Sequence, residues 1–319
     1  MTRPETSIAG MMVKSLIGIG VFLTGLVCPN VHAQQAIQFS QYFSNHLIIN
    51  PAYAGAEDAL SMTLVHRNQW TGVEGAPKTT NLSGHTLFRN EHTGIGMNLF
   101  VDKINIHSNL SFNGVYSYRI RTGDNSYLSL GLSAGLNHQK SDYTALLGTI
   151  YDPNDPGIRF EELSATVFQV GTGAYFMSPR VEVGLSAPVL YSSEPPSGSD
   201  IPESPNTVPH YFIFTKVKIP VSQSVEFRPG FLIKSKRDWP LSYDINMEAI
   251  YRDVLMLALS YRSQETLSTI VQFKVLPQMT FGYAYDIPLS DIQRRNFNSH
   301  ELMLKYVFKY KDYQVSSPR

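Results

Sequence analysis

Apolar and polar residues alternate one for one along much of this chain. Leu128, Leu130, Leu132, Ala134 and Leu136 are separated by Ser129, Gly131, Ser133 and Gly135, the period of a strand with two unlike faces. The period recurs at Leu60/Met62/Leu64, Ile95/Met97/Leu99/Val101, Leu110/Phe112, Leu241/Tyr243/Ile245/Met247, Leu255/Leu257/Leu259/Tyr261, Met279/Phe281/Tyr283/Tyr285 and Leu302/Leu304/Tyr306/Phe308. No helical period of comparable length competes. About fourteen strands are predicted, near 58–68, 79–88, 92–102, 107–121, 125–138, 162–177, 179–188, 209–219, 222–235, 239–252, 253–263, 265–276, 277–287 and 299–310.

Three features turn these strands into a membrane barrel instead of a soluble sandwich. Segments cluster at about ten residues, the length of a tilted bilayer-spanning strand. Apolar rows end in tyrosines, as at Tyr116/Tyr118, Tyr261, Tyr285 and Tyr306/Tyr310, which suits aromatic girdles at the interfaces. Short connections (Arg89-Asn90-Glu91, Thr122-Gly123-Asp124, Ser178-Pro179, Pro220-Val221, Arg252-Asp253, Leu276-Pro277) alternate with longer ones at 69–78, 139–161, 189–208 and 288–298, those at 236–238 and Gln264 being modest. With the short set periplasmic, both termini are periplasmic and the longer loops face outward. The expected fold is an all-β transmembrane outer-membrane antiparallel barrel of about fourteen strands.

The polar face carries Asp244, Glu248 and Arg252 on one strand, Glu226, Arg228 and Lys234 on another, and Arg119, Lys216, Lys218, Arg262, Lys274 and Asp286 elsewhere. Opposite signs on neighbouring strands favour a paired network in a closed or plugged bore, since unpaired buried charge is costly; an aqueous channel is the alternative. An arginine at Leu257, on the lipid face, is expected to cost more than one at Ser260 opposite.

Composition agrees with a barrel. Of 319 residues 12% are aromatic and only 16% charged, below the roughly 25% of an average soluble chain. Twenty-six basic residues balance 26 acidic ones, so no net field recruits nucleic acid. Residues 1–33 read as a secretory signal, with Arg3 and Lys14 basic, Ser15 to Val27 apolar and Val31-His32-Ala33 the cleavage site. Cys28, the single cysteine, is alternatively a lipidation site, against which bulky Val27 argues. The expected organisation is signal 1–33, a periplasmic or lumenal lead-in 34–57, barrel 58–310 and a periplasmic tail 311–319.

Two stretches exceed what alternation demands. In the lead-in, Asn50-Pro51 forces an extended or turn conformation and Gly55 permits a positive φ, while Phe39, Tyr42, Phe43 and Tyr53 need burial. It either docks a partner, plugs the barrel or caps its rim. Around Trp70, with Arg67 and Lys78, the choice is between a surface loop that grips an exported protein and an interfacial anchor. Tyr151 to Gly157 carries oxygen ligands but lacks the spacing of a calcium loop, and 189–208 is a flexible acidic loop. No Gly-x-Ser-x-Gly, His-Glu-x-x-His or Cys-His pair is present, and His46, His66, His85, His92, His107, His138, His210 and His300 show no ligand spacing, so neither catalysis nor a metal or cofactor is expected.

The stretches QFSQYFSNHLIINPAYAG (38–55) and RNQWTGVEGAPKT (67–79), followed by Asp102-Lys103-Ile104 and the Tyr116-Ser117-Tyr118-Arg119 strand, resemble the PorP/SprF family over essentially the whole mature chain. That resemblance implies a non-enzymatic outer-membrane component of type IX secretion and gliding in Bacteroidota. Its implied partners are periplasmic or lipoprotein parts of the machinery and an exported surface protein such as an adhesin. Phe39, Tyr42, Asn50, Pro51, Tyr53, Arg67, Trp70 and Lys78 are the candidate partner-binding residues. The rival reading is a porin or hydrophobic-solute transporter.

Overall fold

A strand in hydrocarbon has no water to satisfy its edge, so a sheet crosses a membrane only by closing on itself. The computed structural model, which describes residues 38–89, 91–146, 161–196, 207–236, 241–263, 266–289 and 298–308, has that closure. The strands are β1 Leu60–Asn68, β2 Lys78–Leu87, β3 Thr93–Ile104, β4 His107–Gly123, β5 Ser126–Asp142, β6 Glu162–Met177, β7 Val181–Ser192, β8 His210–Val217, β9 Ile219–Pro220, β10 Val225–Lys236, β11 Ser242–Tyr251, β12 Leu255–Arg262, β13 Thr266–Leu276, β14 Met279–Pro288 and β15 Ser299–Phe308. All pairings are antiparallel, and β1 against β15 closes the ring, Leu60 opposite Phe308 and Asn68 opposite His300. β8 and β9 both lie along β10, Lys216 opposite Gly230 and Ile219 opposite Phe227, and so fill one wall position. The wall therefore has fourteen strands, as the alternation predicts. Among the described residues no helix is long and apolar enough to cross a membrane; the strands do the crossing.

The two faces separate by chemistry. Leu130, Leu132 and Leu136 point outward while Ser129, Ser133 and Asn137 are buried, and Met247, Leu257 and Leu259 repeat the outward pattern on β11 and β12. So large an apolar belt is untenable in water and ordinary in lipid. Outward tyrosines mark two levels, Tyr116, Tyr118 and Tyr251 near one end and Tyr191, Tyr211 and Tyr261 near the other. The core lies inside the ring: Tyr42, Phe43, Leu47, Ala52, Tyr53 and Ala54 pack against Tyr175, Phe214, Leu232, Met256 and Ile270 of the wall.

At one end the connections are 88–92, 124–125, 178–180, 221–224, 252–254 and 277–278; at the other they are 69–77, 105–106, 143–161, 193–209, 237–241, 263–265 and 289–298. The first set is uniformly short. Arg252 and Asp253 both have positive φ, and Val254 N–H donates to the Tyr251 carbonyl at 3.0 Å, a type I′ turn matched to strand twist. Short turns face the periplasm in such barrels, which assigns the two ends.

The lead-in runs through the bore from the outer end to the periplasmic end. Gln38 accepts from Lys234 near the outer end of β10, and Ser40 bonds Asp286 and Glu301 at the outer ends of β14 and β15. Gly55 N–H donates to His85 beside the β2–β3 turn, and Ala59 then leads into β1. The lead-in is thus lumenal along its described length. Its aromatics turn back into the bore because only the lumenal wall can bury them. The predicted signal 1–33, the tail 311–319 and the 151–157 turn lie outside the described residues.

A filled bore adds a cost of its own at Ser260. That residue is buried and lies opposite Asn246, which bonds Tyr42 of the lead-in, so an arginine there crowds packed groups. Leu257→Arg is expected to cost about 2–4 kcal/mol and Ser260→Arg at least ~1–3 kcal/mol, measured by urea unfolding in lipid vesicles; a neutral Ser260→Arg contradicts a filled bore. The path of the lead-in is tested in a Cys28-free background. A cysteine at Gln38 reacts with an impermeant maleimide on intact cells, whereas one at the exposed Asp58 reacts only after permeabilisation; the reverse order refutes the path.

Candidate functional site

The stretch 38–57 is too interrupted for a helix and has no strand partner, so its main chain must be satisfied by turns and by the wall. Three single 3-10 turns, Tyr42–Ser44, His46–Ile48 and Pro51–Tyr53, satisfy part of it. Before the third, Asn50 is extended, as a residue preceding proline prefers; its side-chain oxygen accepts Ala52 N–H at 2.9 Å and its Nδ2 donates to the Ala174 carbonyl at 3.0 Å. Gly55 has φ +81°, a conformation costly for any residue with a Cβ. A Cβ on Gly131 of β5 would collide with the Ala52 main chain. The Asn-Pro-Ala-Tyr-Ala-Gly motif thus encodes a tight plug seated on a wall that has made room for it.

At the outer end a buried ionic latch holds the plug. Both Glu301 oxygens accept main-chain donors, from Ser40 at 2.8 Å and Gln41 at 2.9 Å. Ser40 Oγ donates to Asp286 at 2.7 Å and accepts from Arg67 Nη1 at 2.9 Å, while Arg67 reaches Asp286 at 2.5 Å and Glu301 at 3.1 Å. Beside them Asp244 meets Lys234 at 2.8 Å and Arg262 at 3.5 Å. Three cations therefore face three carboxylates, so these low-dielectric charges are compensated.

Towards the periplasmic end ring contacts and wall-to-carbonyl hydrogen bonds join the ionic ones. His46 stacks on Phe214, ring centroids 4.5 Å apart, and Tyr53 meets both His46 and Tyr175 edge-on at 5.2 and 5.3 Å. Plug carbonyls accept from the wall: Phe43 from Lys216 at 2.9 Å, Leu47 from Asn98 at 2.9 Å, Ile49 from Ser186 at 2.6 Å and Ala54 from Ser117 at 2.6 Å. Tyr53 donates to Glu57, which pairs with Lys305 of β15.

The candidate residues divide into two groups. Phe39, Tyr42, Asn50, Pro51, Tyr53 and Arg67 are buried in the lumen, where a partner reaches them only by moving the plug. Trp70 is partly exposed in the β1–β2 connection at the outer rim, and Lys78 is exposed at the start of β2. The Trp70 N–H donates to Ser299 Oγ at 3.2 Å and Thr71 N–H to the Asn298 carbonyl at 2.9 Å, fixing the loop to β15. Sequence reasoning did not single out Glu301. Its strand reads as apolar alternation, and only its inward parity next to Arg67 marks it. Among the described residues no group of His, Cys, Asp and Glu is arranged to hold a metal.

A closed barrel with an apolar belt and an internal plug defines an outer-membrane β-barrel protein. The sequence matches the model of the type IX secretion system membrane protein PorP/SprF over residues 31–306, and the chain belongs to that family. No curated protein matches it. Similar solved structures are Acinetobacter baumannii outer membrane protein Omp33 (11% identity, 78% of this chain and 98% of that one, TM-score 0.45) and the Ralstonia pickettii toluene transporter TbuX (8%, 83% and 93%, 0.48). A third is the CymD monoaromatic hydrocarbon channel (11%, 88% and 95%, 0.46).

Removing one partner of a buried ionic cluster costs about 3–5 kcal/mol. Glu301→Ala is expected to loosen the plug by that order and to give flickering conductance in planar bilayers, with a steady current on deletion of 38–57 and none in the wild type. Equal, closed behaviour of all three would show that the latch does not seal the bore.

Proposed function

We propose that this protein is a non-enzymatic scaffold of the type IX secretion machinery that supports export or surface retention of a secreted protein such as an adhesin. The observation that carries this reading is the combination of family membership across 31–306 with a bore occupied along its length by 38–57. A plugged barrel is a poor conduit and a good rigid support. The work then falls to its rims, with periplasmic or lipoprotein components of the machinery at the short turns and the exported protein at the long connections.

On this reading Trp70 and Lys78 touch the exported protein, while Phe39, Tyr42, Asn50, Pro51, Tyr53 and Arg67 act indirectly by holding the plug and the strand that carries the Trp70 loop. Trp70→Ala is expected to weaken retention by upwards of ~2 kcal/mol, roughly thirtyfold. Tagged barrels are isolated from outer membranes and the co-purifying proteins quantified by mass spectrometry. Loss of one secreted surface protein in Trp70→Ala, with heat-modifiable migration unchanged, supports the reading. Wild-type recovery of every partner with the variant refutes the rim assignment, and a steady open-channel current from the wild type favours a porin.

A further inference from the structure

The wall steps down at its outer end between β6 and β7. There β4, β5 and β6 run outward together, His107 opposite Ser141 and Asp142 opposite Glu162. β7 pairs with β6 only as far as Ser192 opposite Gln169, after which Ser193 N–H reaches the Phe168 carbonyl at 2.8 Å. The sequence explains the stop: continued in the same register, Thr166 would face Pro195, which has no N–H to give to a ladder. Residues 162–167 are therefore paired on their β5 side and, among the described residues, have no strand on the other.

This open edge is about 20 Å long at ~3.4 Å per residue. Phe168 turns its N–H to Ser193 Oγ and its carbonyl to Ser193 N–H, so by strand alternation the main-chain groups of Thr166 and Ser164 point to the same side, where no described main chain meets them. Natural sheet edges are blunted by lysine, proline or a bulge; Leu163 to Val167 carry none of these, and β6 follows β5 in unbroken register. Ser164 and Thr166 are exposed on the outer face, whereas Ala165 and Val167 are buried on the inner one. Polar side chains succeed the outward Phe168 here, so the stretch stands above the apolar belt, in water. Acids predominate at the step: Asp142, Glu161, Glu162 and Glu194, against Lys140, which pairs with Glu162 at 2.6 Å.

We propose that the outer edge of β6 takes up an extended segment of a partner chain as an added strand, antiparallel like every pairing in the wall, in the place where β7 stops. Main-chain bonds to Thr166 and Ser164 hold the segment, the mode by which sheet edges capture peptides. Its inward side chains are apolar, beside Ala165 and Val167, its outward ones polar, beside Ser164 and Thr166, and a basic flank meets the acids. A helix spends its main-chain groups on itself and satisfies neither residue. The site rests on the geometry of β6; assigning the segment to the exported protein rests on the secretion reading above.

Purified full-length barrel in lipid nanodiscs is titrated with the peptide acetyl-Lys-Thr-Val-Thr-Val-Thr-Lys-amide and with two analogues, N-methylated at the threonine or at the valine amides, while hydrogen exchange over residues 162–168 is followed by mass spectrometry. Fast exchange at 164 and 166 in the free barrel, slowed by saturable peptide binding, is expected. Bonded residues of an antiparallel pair share a face, so methylating the threonine amides abolishes binding and methylating the valine amides spares it. Thr166→Pro removes a donor that points away from β5, so heat-modifiable migration is kept while affinity falls roughly tenfold; Ser164→Pro serves should that variant fail to assemble. Slow exchange before any peptide is added means that this chain or a second copy already covers the edge, and equal binding of both analogues, or by the proline variants, means that no strand is added; each overturns the proposal. The secreted surface protein recovered with tagged wild-type and Thr166→Pro barrels separates the two readings. Equal recovery with both refutes the edge and leaves the secretion role standing, whereas recovery with neither refutes that role, and the peptide titration alone then decides the edge.

Discussion

The lumenal wall cannot satisfy itself. Its main chain is used up in the ladder, and what projects inward is a set of acids, bases and amides at membrane depth, where an unpaired polar group is expensive. The segment 38–57 has the complementary problem, an irregular main chain whose donors and acceptors have no ladder to join. Each solves the other. Glu301 takes the N–H groups of Ser40 and Gln41, while Lys216, Asn98, Ser186 and Ser117 give their donors to plug carbonyls. Non-helical backbone is tolerated at this depth because it is enclosed by protein on every side.

The two ends of the plug are held by different physics. At the outer end the contacts are ionic and charge-assisted, directional and sensitive to loss of any one partner. At the periplasmic end stacked rings and close small-residue packing, with Ala52 fully buried and Gly131 making room for it, join the Glu57–Lys305 and Asp58–Arg119 ion pairs. That end is also covalently tied, since Ala59 continues into β1. The outer end of the described plug is therefore secured by a buried ionic cluster, and the tethered end by shape together with the more exposed Glu57–Lys305 and Asp58–Arg119 pairs.

Much of this was legible in the sequence. Period-two alternation gave every strand of the wall, because a face packed on lipid and a face packed on protein differ at each successive residue. Asn50-Pro51 and Gly55 marked the lead-in as structured and non-strand, because their backbone preferences are local. The direction of the lead-in was not legible, since its aromatics ask only for burial and say nothing of which end they enter from. Nor was the part played by Glu301, whose partners Ser40 and Arg67 are distant in sequence and meet only when β1 closes on β15. The surroundings of Ser260 were not legible for the same reason: a small polar residue reads alike whether it faces water or a packed plug.

Closure on β1 and β15 also joins the rim to the bore. The Trp70 loop hangs from Ser299 and Asn298 at the outer ends of this strand pair, and Arg67 and Glu301, a residue or two further in, grip Ser40. Strands in a closed ladder shift only together with their neighbours, because each main-chain bond is shared. A load applied at Trp70 thus falls first on the two strands whose inward side chains fasten the plug. The same cluster of contacts holds the plug in the bore and ties down the outer rim, so a support at the rim and a filled bore follow from one piece of chemistry.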